Sequence, residues 1–485
     1  LTVLAAALRF ALIGHQGYWF DEGNTVLLVH LSPGKMLGLI PQSESTPPLY
    51  YGVAWAWARI FGFGEVGLRS LSAVAGVATV PVLWCAARRL ASDRAAVIVA
   101  ALTACNPLLV WYSQEARSYS LLVLMSALTL WTFALMLDEP SARRVVGWVV
   151  AGALALVTHY YAVLAVAPEA VWLLYVHRRR RPVQVGVGAL VVCGLALLPY
   201  ALNQNASGHA SWISAAPLGR RVGELVPQFA LGFQSPARGV LEPVAIVLLV
   251  LALVLLGWRA APMERRAGLL AGGLALAGLV LNLLLIAGGV DDLITRNVLA
   301  IWPAGAVAVA VGLAASRARA AGVAAALALC ALGVTTVIGV DADTARQKPD
   351  WRVVARALGP APAVGQGRVV LIQHYRDLLP LSLSLPTLKF VPRGGATVSQ
   401  LDVVSFTSPP SAGFCWWGSA CNLWPSRIQR AYAIPGFRVV SRTRVRQFTV
   451  VRMVARRPVH VTASLVAPAL TATRLHEDDL LLQRP

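Results

Sequence analysis

The run Tyr18-Trp19-Phe20-Asp21-Glu22-Gly23 sets two adjacent carboxylates directly after three aromatic rings, just beyond the first apolar stretch of the chain. Aromatic rings favour a membrane–water interface, where a carboxylate stays ionised and still reaches a lipid-borne substrate. Asp21 can there accept the proton of an acceptor hydroxyl as it attacks an activated carbon, with Glu22 positioning the acceptor or binding a metal. Three further clusters have the same character. Glu44-Ser45-Thr46-Pro47-Pro48-Leu49-Tyr50-Tyr51 fixes a helix entry with paired prolines and offers Glu44, Tyr50 and Tyr51 for substrate contact. Tyr112-Ser113-Gln114-Glu115-Ala116-Arg117-Ser118-Tyr119 holds an acid and a base too close in sequence to share a helix face, so they serve different partners. Arg117 suits a phosphate, and Glu115 an amine, a hydroxyl or a metal. Asp291-Asp292-Leu293-Ile294-Thr295-Arg296-Asn297 offers the Arg296 guanidinium to a lipid phosphate leaving group, with Arg69 a second candidate. His159, in Thr158-His159-Tyr160-Tyr161, can orient substrate or help bind phosphate. Taken singly, each cluster also has an ordinary reading: a solvated acidic pair, a helix start, a loop ion pair, a snorkelling arginine, a structural histidine.

These residues need elements to hold them, and composition says what kind. The 485 residues are 57% hydrophobic and only 13% charged, too apolar for a soluble globular protein. The chain reads as a polytopic α-helical membrane protein. Its net charge of +20 would suggest a nucleic-acid partner in a soluble chain, but the arginines fall in short clusters between apolar spans, so the charge is topology and no nucleic acid is implied. Only Lys35, Lys348 and Lys389 are lysines among 42 basic residues, a bias that fits a GC-rich bacterial genome. The chain opens at Leu1 without Met or a basic leader, so a first span with a missing or shortened start is expected rather than a cleaved signal peptide.

Windows of roughly 20 residues give eleven expected spans, near 1–14, 67–87, 95–112, 119–137, 145–159, 161–176, 183–200, 240–257, 268–288, 297–315 and 320–340. The basic loops at Arg88/Arg89/Arg94, Arg143/Arg144, Arg178 to Arg181, Arg259/Arg265/Arg266 and Arg317/Arg319 then share one side, the cytoplasmic one by the positive-inside rule. All four candidate clusters and His159 face outward in this count. Residues 15–66 form a first outer loop with two interfacial helices, near 22–31 and 48–62. Residues 1–340 make the transmembrane domain. Residues 341–460 look like a small extracytoplasmic α/β domain, with strands near 368–373, 401–406, 437–441 and 448–453 and helices near 351–358 and 376–385. A disulfide between Cys415 and Cys421 is expected, the other four cysteines being packing residues, and 461–485 reads as a disordered tail. No metal-ligand spacing, phosphate loop, dinucleotide turn or Ser-His-Asp signature sits in a fitting context, and the inner loops are too short for a nucleotide site.

The order of these motifs resembles the bacterial branch of the protein O-mannosyltransferase-like family, which has the GT-C fold and includes the aminoarabinose transferases of lipid A. The resemblance covers residues 1 to about 360 and rests on the acidic pair, the Pro-Pro-Leu-Tyr-Tyr segment, Ser-Gln-Glu-Ala-Arg-Ser-Tyr, Thr-His-Tyr-Tyr and the Arg-Asn after Asp-Asp. It implies a transferase that takes a sugar from a polyprenyl phosphate and hands it to an acceptor of the envelope, a lipid, glycan or protein, on the outer face of the plasma membrane. It implies Asp21 as general base, Glu115 at the second acidic position and Arg296 at the donor phosphate. The aminoarabinose branch has a lysine where this chain has Thr46, so here phosphate charge falls to Arg69, Arg117 or Arg296. A lipid phosphate is already a tolerable leaving group, so no cofactor is required; Mg²⁺ or Mn²⁺ would suit Glu22 and Glu115 if one binds. The rival readings are a lipid-linked oligosaccharide ligase or polymerase and, from another class, a lipid or solute transporter, which would keep its coupling acids near the bilayer midplane.

Overall fold

The computed structural model describes residues 1–206, 208, 212–362, 367–372, 378–407, 429–470 and 479–484. Cys415 and Cys421, and with them the expected disulfide, lie outside these residues. The chain divides into two compact units, one of residues 1–13 and 25–340, the other of residues 14–24 and 341–485.

The first unit is helical. Among the described residues, eight helices are long and apolar enough to cross a membrane: Glu65–Leu90, Tyr119–Met136, Tyr160–His177, Arg181–Ala206, Arg238–Trp258, Pro262–Ala287, Thr295–Leu313 and Arg319–Ala342. Asp93–Cys105 and Pro107–Ser113 add a ninth if read as one broken span, bent by 57°. By length and composition the described residues thus give eight or nine spans beside the eleven expected. Thr2–Phe10 has 9 residues and Ala142–Thr158 has 17; at 1.5 Å per residue the first covers roughly 14 Å, half of a bilayer core. The break at Asn106 has a local cause. Pro107 cannot donate a helical bond, and Asn106 instead caps the new helix by accepting from the Leu109 N–H at 3.0 Å. Arg9, buried in the first helix, donates to the carbonyls of Thr103 and Ala104 that the break releases, at 2.9 and 3.0 Å. Residues 15–66 contain three helices where two were expected, Phe20–His30, Pro33–Ser43 and Leu49–Phe61.

Small residues let the spans close on one another. A Cβ on Gly278 would stand 2.3 Å from the Leu164 carbonyl oxygen, and one on Gly312 2.1 Å from that of Ala252. Polar residues tie them as well. Glu169, inside Tyr160–His177 and 2% exposed, accepts from the Trp148 indole at 2.8 Å and lies 3.1 Å from the Thr129 hydroxyl. Three consecutive helices thus meet at one carboxyl deep in the bundle, a residue that the outward-facing reading of the acids passed over.

Among the described residues, the second unit carries a six-stranded sheet. Its strands are β1 (Arg368–Ile372), β2 (Lys389–Phe390), β3 (Ala396–Phe406), β4 (Phe437–Val445), β5 (Phe448–Val461) and β6 (Leu480–Gln483), in the order β2-β6-β1-β3-β5-β4. β1 and β3 run parallel and every other pair is antiparallel. The helix Leu378–Ser384 lies in the crossover between the parallel strands, as a parallel pair requires. Trp351, Val354 and Leu358 of the helix Trp351–Leu358 pack with Val370, Ile372 and Phe448 on one face, while Val369, Leu371 and Met453 belong to the core of the other. Asp402 sits wholly buried between Arg368 and Arg452, 3.1 Å from each. Both guanidinium groups also donate to the Leu358 carbonyl at the end of that helix, at 2.5 and 2.8 Å. The tail expected to be disordered contributes instead a short helix, Ala463–Val466, and the sheet strand β6. Leu480-Leu-Leu-Gln is wholly apolar but for its last residue, and all four residues are buried.

Candidate active site

Within the first unit, the candidate residues that sequence separates are drawn into one buried polar cluster. The loop after Pro33–Ser43 brings Glu44 to Arg117, whose Nη1 meets Oε2 at 2.7 Å with both side chains almost wholly buried. Tyr51 lies under the same guanidinium, 6.0 Å from ring centroid to Cζ, and its hydroxyl bonds to Thr46 at 3.1 Å. Tyr50 packs edge-on against Tyr51 and reaches the Ser72 hydroxyl at 3.5 Å, while Ser72 donates to the Arg117 carbonyl at 3.2 Å. Both tyrosine rings are fully buried, so their hydroxyls serve the packing around Arg117. Gln204, at the end of Arg181–Ala206, pins this loop by donating to the Thr46 carbonyl at 3.1 Å and accepting from Tyr160 at 2.8 Å.

His159 closes the helix Ala142–Thr158 and opens the turn into the next span. Its ring faces those of Tyr119 and Tyr161, with centroids 6.0 and 5.8 Å away. Burial, helped by the charges of Arg117 and Arg296, holds the imidazole neutral, its pKa pushed down to about 3. Nδ1 accepts from the Tyr161 N–H at 3.3 Å, which leaves the ring proton on Nε2. Arg296 is stacked between aromatic faces, 6.0 Å from Tyr119 and 5.4 Å from Trp212. Asp292 accepts from the Tyr161 hydroxyl at 3.2 Å and its carbonyl from Asn297 at 2.7 Å. Burial raises its carboxyl above the usual range. Asp291 turns elsewhere and binds Arg221 through two bonds of 2.7 and 2.8 Å. Arg69, 1% exposed, donates to the Ile13 carbonyl at 2.9 Å. Glu115 is buried at the turn, its carbonyl accepting from the Arg117 N–H at 2.8 Å.

The acidic pair belongs to the second unit. Asp21 and Glu22 stand in the first turn of Phe20–His30, where the helix end favours negative charge. Glu22 is fully buried, and its Oε2 turns back toward the Trp19 N–H at 3.5 Å, half of a capping box. Asp21 keeps partial exposure. The segment is held by residues far along the chain. Arg352 donates to the carbonyls of Gly14 and His15 at 3.2 and 2.7 Å, the Lys348 N–H to Gln16 at 3.0 Å, and the Lys348 ammonium lies 5.5 Å from the Trp19 ring. Gly17 makes room for this grip, since a Cβ there would stand 2.6 Å from Asp350 Oδ1.

Sequence reasoning missed Lys348, Trp212 and Ser72 as neighbours of the candidate residues. Lys348 carried a signal, being one of three lysines in an arginine-rich chain; Trp212 and Ser72 carried none. Among the described residues, no group of three or more His, Cys, Asp or Glu side chains could hold a metal ion.

The family model of dolichyl-phosphate-mannose-protein mannosyltransferases matches residues 45–202, the stretch that holds Thr46, Tyr50, Tyr51, Arg69, Glu115, Arg117 and His159. No curated protein sequence matches the chain. The fold is similar to that of ArnT from Cupriavidus metallidurans, with a TM-score of 0.54 to the apo state and 0.53 to the form bound to undecaprenyl phosphate. In both comparisons identity is 13%, and the match covers 93% of this chain and 96% of the other. That family model holds Arg117 and His159 but neither Glu44 nor Arg296, and the likeness to ArnT extends over nearly the whole chain as a shared fold.

Proposed function

We propose that the chain transfers a sugar from a polyprenyl-phosphate donor to a lipid, glycan or protein acceptor on the outer face of the bacterial plasma membrane. The observation that carries this reading is the buried cluster in which Arg117 and Arg296 share their surroundings with a neutral His159. Two guanidinium groups in a poorly hydrated site suit a phosphate whose charge grows as it leaves. The undecaprenyl phosphate bound to ArnT supports a lipid phosphate of that class.

The reaction is a single displacement. Asp21 takes the proton of the acceptor hydroxyl, whose oxygen attacks the anomeric carbon of the donor. The bond from that carbon to the phosphate oxygen breaks, and the electron pair leaves on the lipid phosphate. Arg117 and Arg296 meet the new charge, and His159 Nε2–H is a neutral donor for the same oxygens. Glu44 acts through Arg117, which it holds and orients, and Glu22 through the helix turn that presents Asp21. The arginine loops support an inward-facing side for the opposite span ends.

The test is the purified chain in lipid, given a panel of polyprenyl-phosphate sugars and crude envelope acceptor, with release of free lipid phosphate followed over time. Release that depends on acceptor and gives a product of inverted anomeric configuration is expected. Retained configuration would overturn the single displacement, and no release from any donor would overturn the reading.

A further inference from the structure

Between the spans Val163–His177 and Pro262–Ala287 runs a long apolar fissure of about 1250 Å³. Val171 and Trp172 line one wall, and Gly273 and Leu281 the other. From Arg266 to Leu281 the second wall rises roughly 22 Å, at 1.5 Å per residue, most of the way through a hydrocarbon core of about 30 Å. One end of the fissure is charged, with Arg89, Asp138 and Arg266 at its mouth. Arg89 is paired with Asp138, so Arg266 leaves the mouth with an excess positive charge. Tyr175, 77% exposed, stands at the same end, as interfacial aromatic residues do.

This end is not the candidate active site. Val163–His177 begins just after the His159 turn, and Pro262–Ala287 ends just before Asp291; both helices then run away from the polar cluster to reach Arg266 and Tyr175.

We propose that the fissure is a binding site for an anionic diacyl phospholipid, its acyl chains between the two spans and its phosphate on Arg266. Charge complementarity selects this occupant: a basic mouth on an interhelical pocket attracts an anionic headgroup, while the walls offer only dispersion and burial to a chain.

Gly273 supplies a variant that spares the fold. A Cβ there would meet nothing within 4 Å, so a larger side chain enters the open fissure and displaces no packed atom. The full chain, purified and exchanged into nanodiscs or detergent with dioleoyl phosphatidylglycerol or dioleoyl phosphatidylcholine, is examined by native mass spectrometry for retained lipid. Phosphatidylglycerol is expected to be retained over phosphatidylcholine. Arg266→Gln is expected to cut that preference about fivefold, and Gly273→Phe to abolish retention of both while thermal unfolding stays unchanged. Equal retention of the two lipids by the unaltered chain would overturn the proposal, as would retention unaffected by both variants. Displacement of phosphatidylglycerol by added undecaprenyl phosphate would overturn it too, by making the fissure a channel for a polyprenyl tail.

Discussion

Glu44 and Arg117, 73 residues apart in sequence, form an ion pair of 2.7 Å that is closed off from solvent. A buried pair is costly to break from one side, because the remaining charge loses its partner and regains no water. Glu44→Ala is therefore expected to lower stability by about 3–5 kcal/mol, read from unfolding in detergent. Adding Arg117→Met should recover part of that loss while leaving donor turnover abolished. A double variant no more stable than Glu44→Ala would show that the charge imbalance is not what the single change exposes.

Asp21→Asn removes the base and keeps the shape. Turnover is expected to fall by a factor of about 10²–10⁴, with the unfolding profile and donor binding unchanged. Glu22→Gln, altering a residue that caps its own helix, should fall less. Equal activity in Asp21→Asn and the unaltered chain would remove Asp21 from the mechanism.

His159 makes stability depend on pH in a defined window. Its pKa falls from 6.5 to about 3 on folding, so the unfolded chain binds a proton in that interval that the folded chain refuses. The contribution is complete above 6.5 and is lost as pH falls toward 3, at about 1.4 kcal/mol per pH unit. His159→Gln should flatten this part of the profile, measured between pH 7 and pH 5. An identical slope in the variant would place the titration elsewhere.

Turnover should survive chelation. With arginines and Asp21 assigned to the charges, EDTA treatment is expected to leave the rate of lipid-phosphate release within about twofold, since no step above is routed through a Lewis acid. A loss restored by Mg²⁺ or Mn²⁺ would instead give Glu22 and Glu115 a metal.

Glu169 is expected to tolerate an amide better than an alkyl group. The single hydroxyl hydrogen of Thr129 is aimed at both the Ser126 carbonyl, at 2.8 Å, and Glu169, at 3.1 Å. In Glu169→Gln the amide keeps an acceptor for Trp148 and supplies a hydrogen to Thr129, so stability should hold. Glu169→Ala leaves the Trp148 indole N–H buried without a partner and opens a cavity, at a cost of about 2–4 kcal/mol. Equal unfolding of the two variants would mean that the carboxyl ties nothing together.

The spans that proved legible were those in which a long apolar run coincides with one unbroken helix, such as Arg238–Trp258 and Arg319–Ala342. Two expected spans have shorter helices than these: Thr2–Phe10, with 9 residues where 14 were expected, and Ala142–Thr158, with 17. Strands β1, β3, β4 and β5 were visible as Val-rich runs. β6 was not, since its partner Arg368 lies 115 residues back and only that pairing gives four residues of a polar tail a reason to extend. The site divides in the same way. Chemistry marked Glu44, Arg117, His159 and Arg296 as candidates, whereas the pairing of Glu44 with Arg117, like the hold of Arg352 on Gly14 and His15, is a tertiary fact that no local pattern carries.

The grip of Lys348 and Arg352 on residues 14–16 also fixes an order of events in biosynthesis. The partners of the stretch carrying Asp21 and Glu22 are synthesised more than 300 residues after it, and Arg352 lies in a helix that packs on a sheet completed only by β6. Translation through Arg352 is the earliest point at which residues 14–16 can be held as they are in the finished chain.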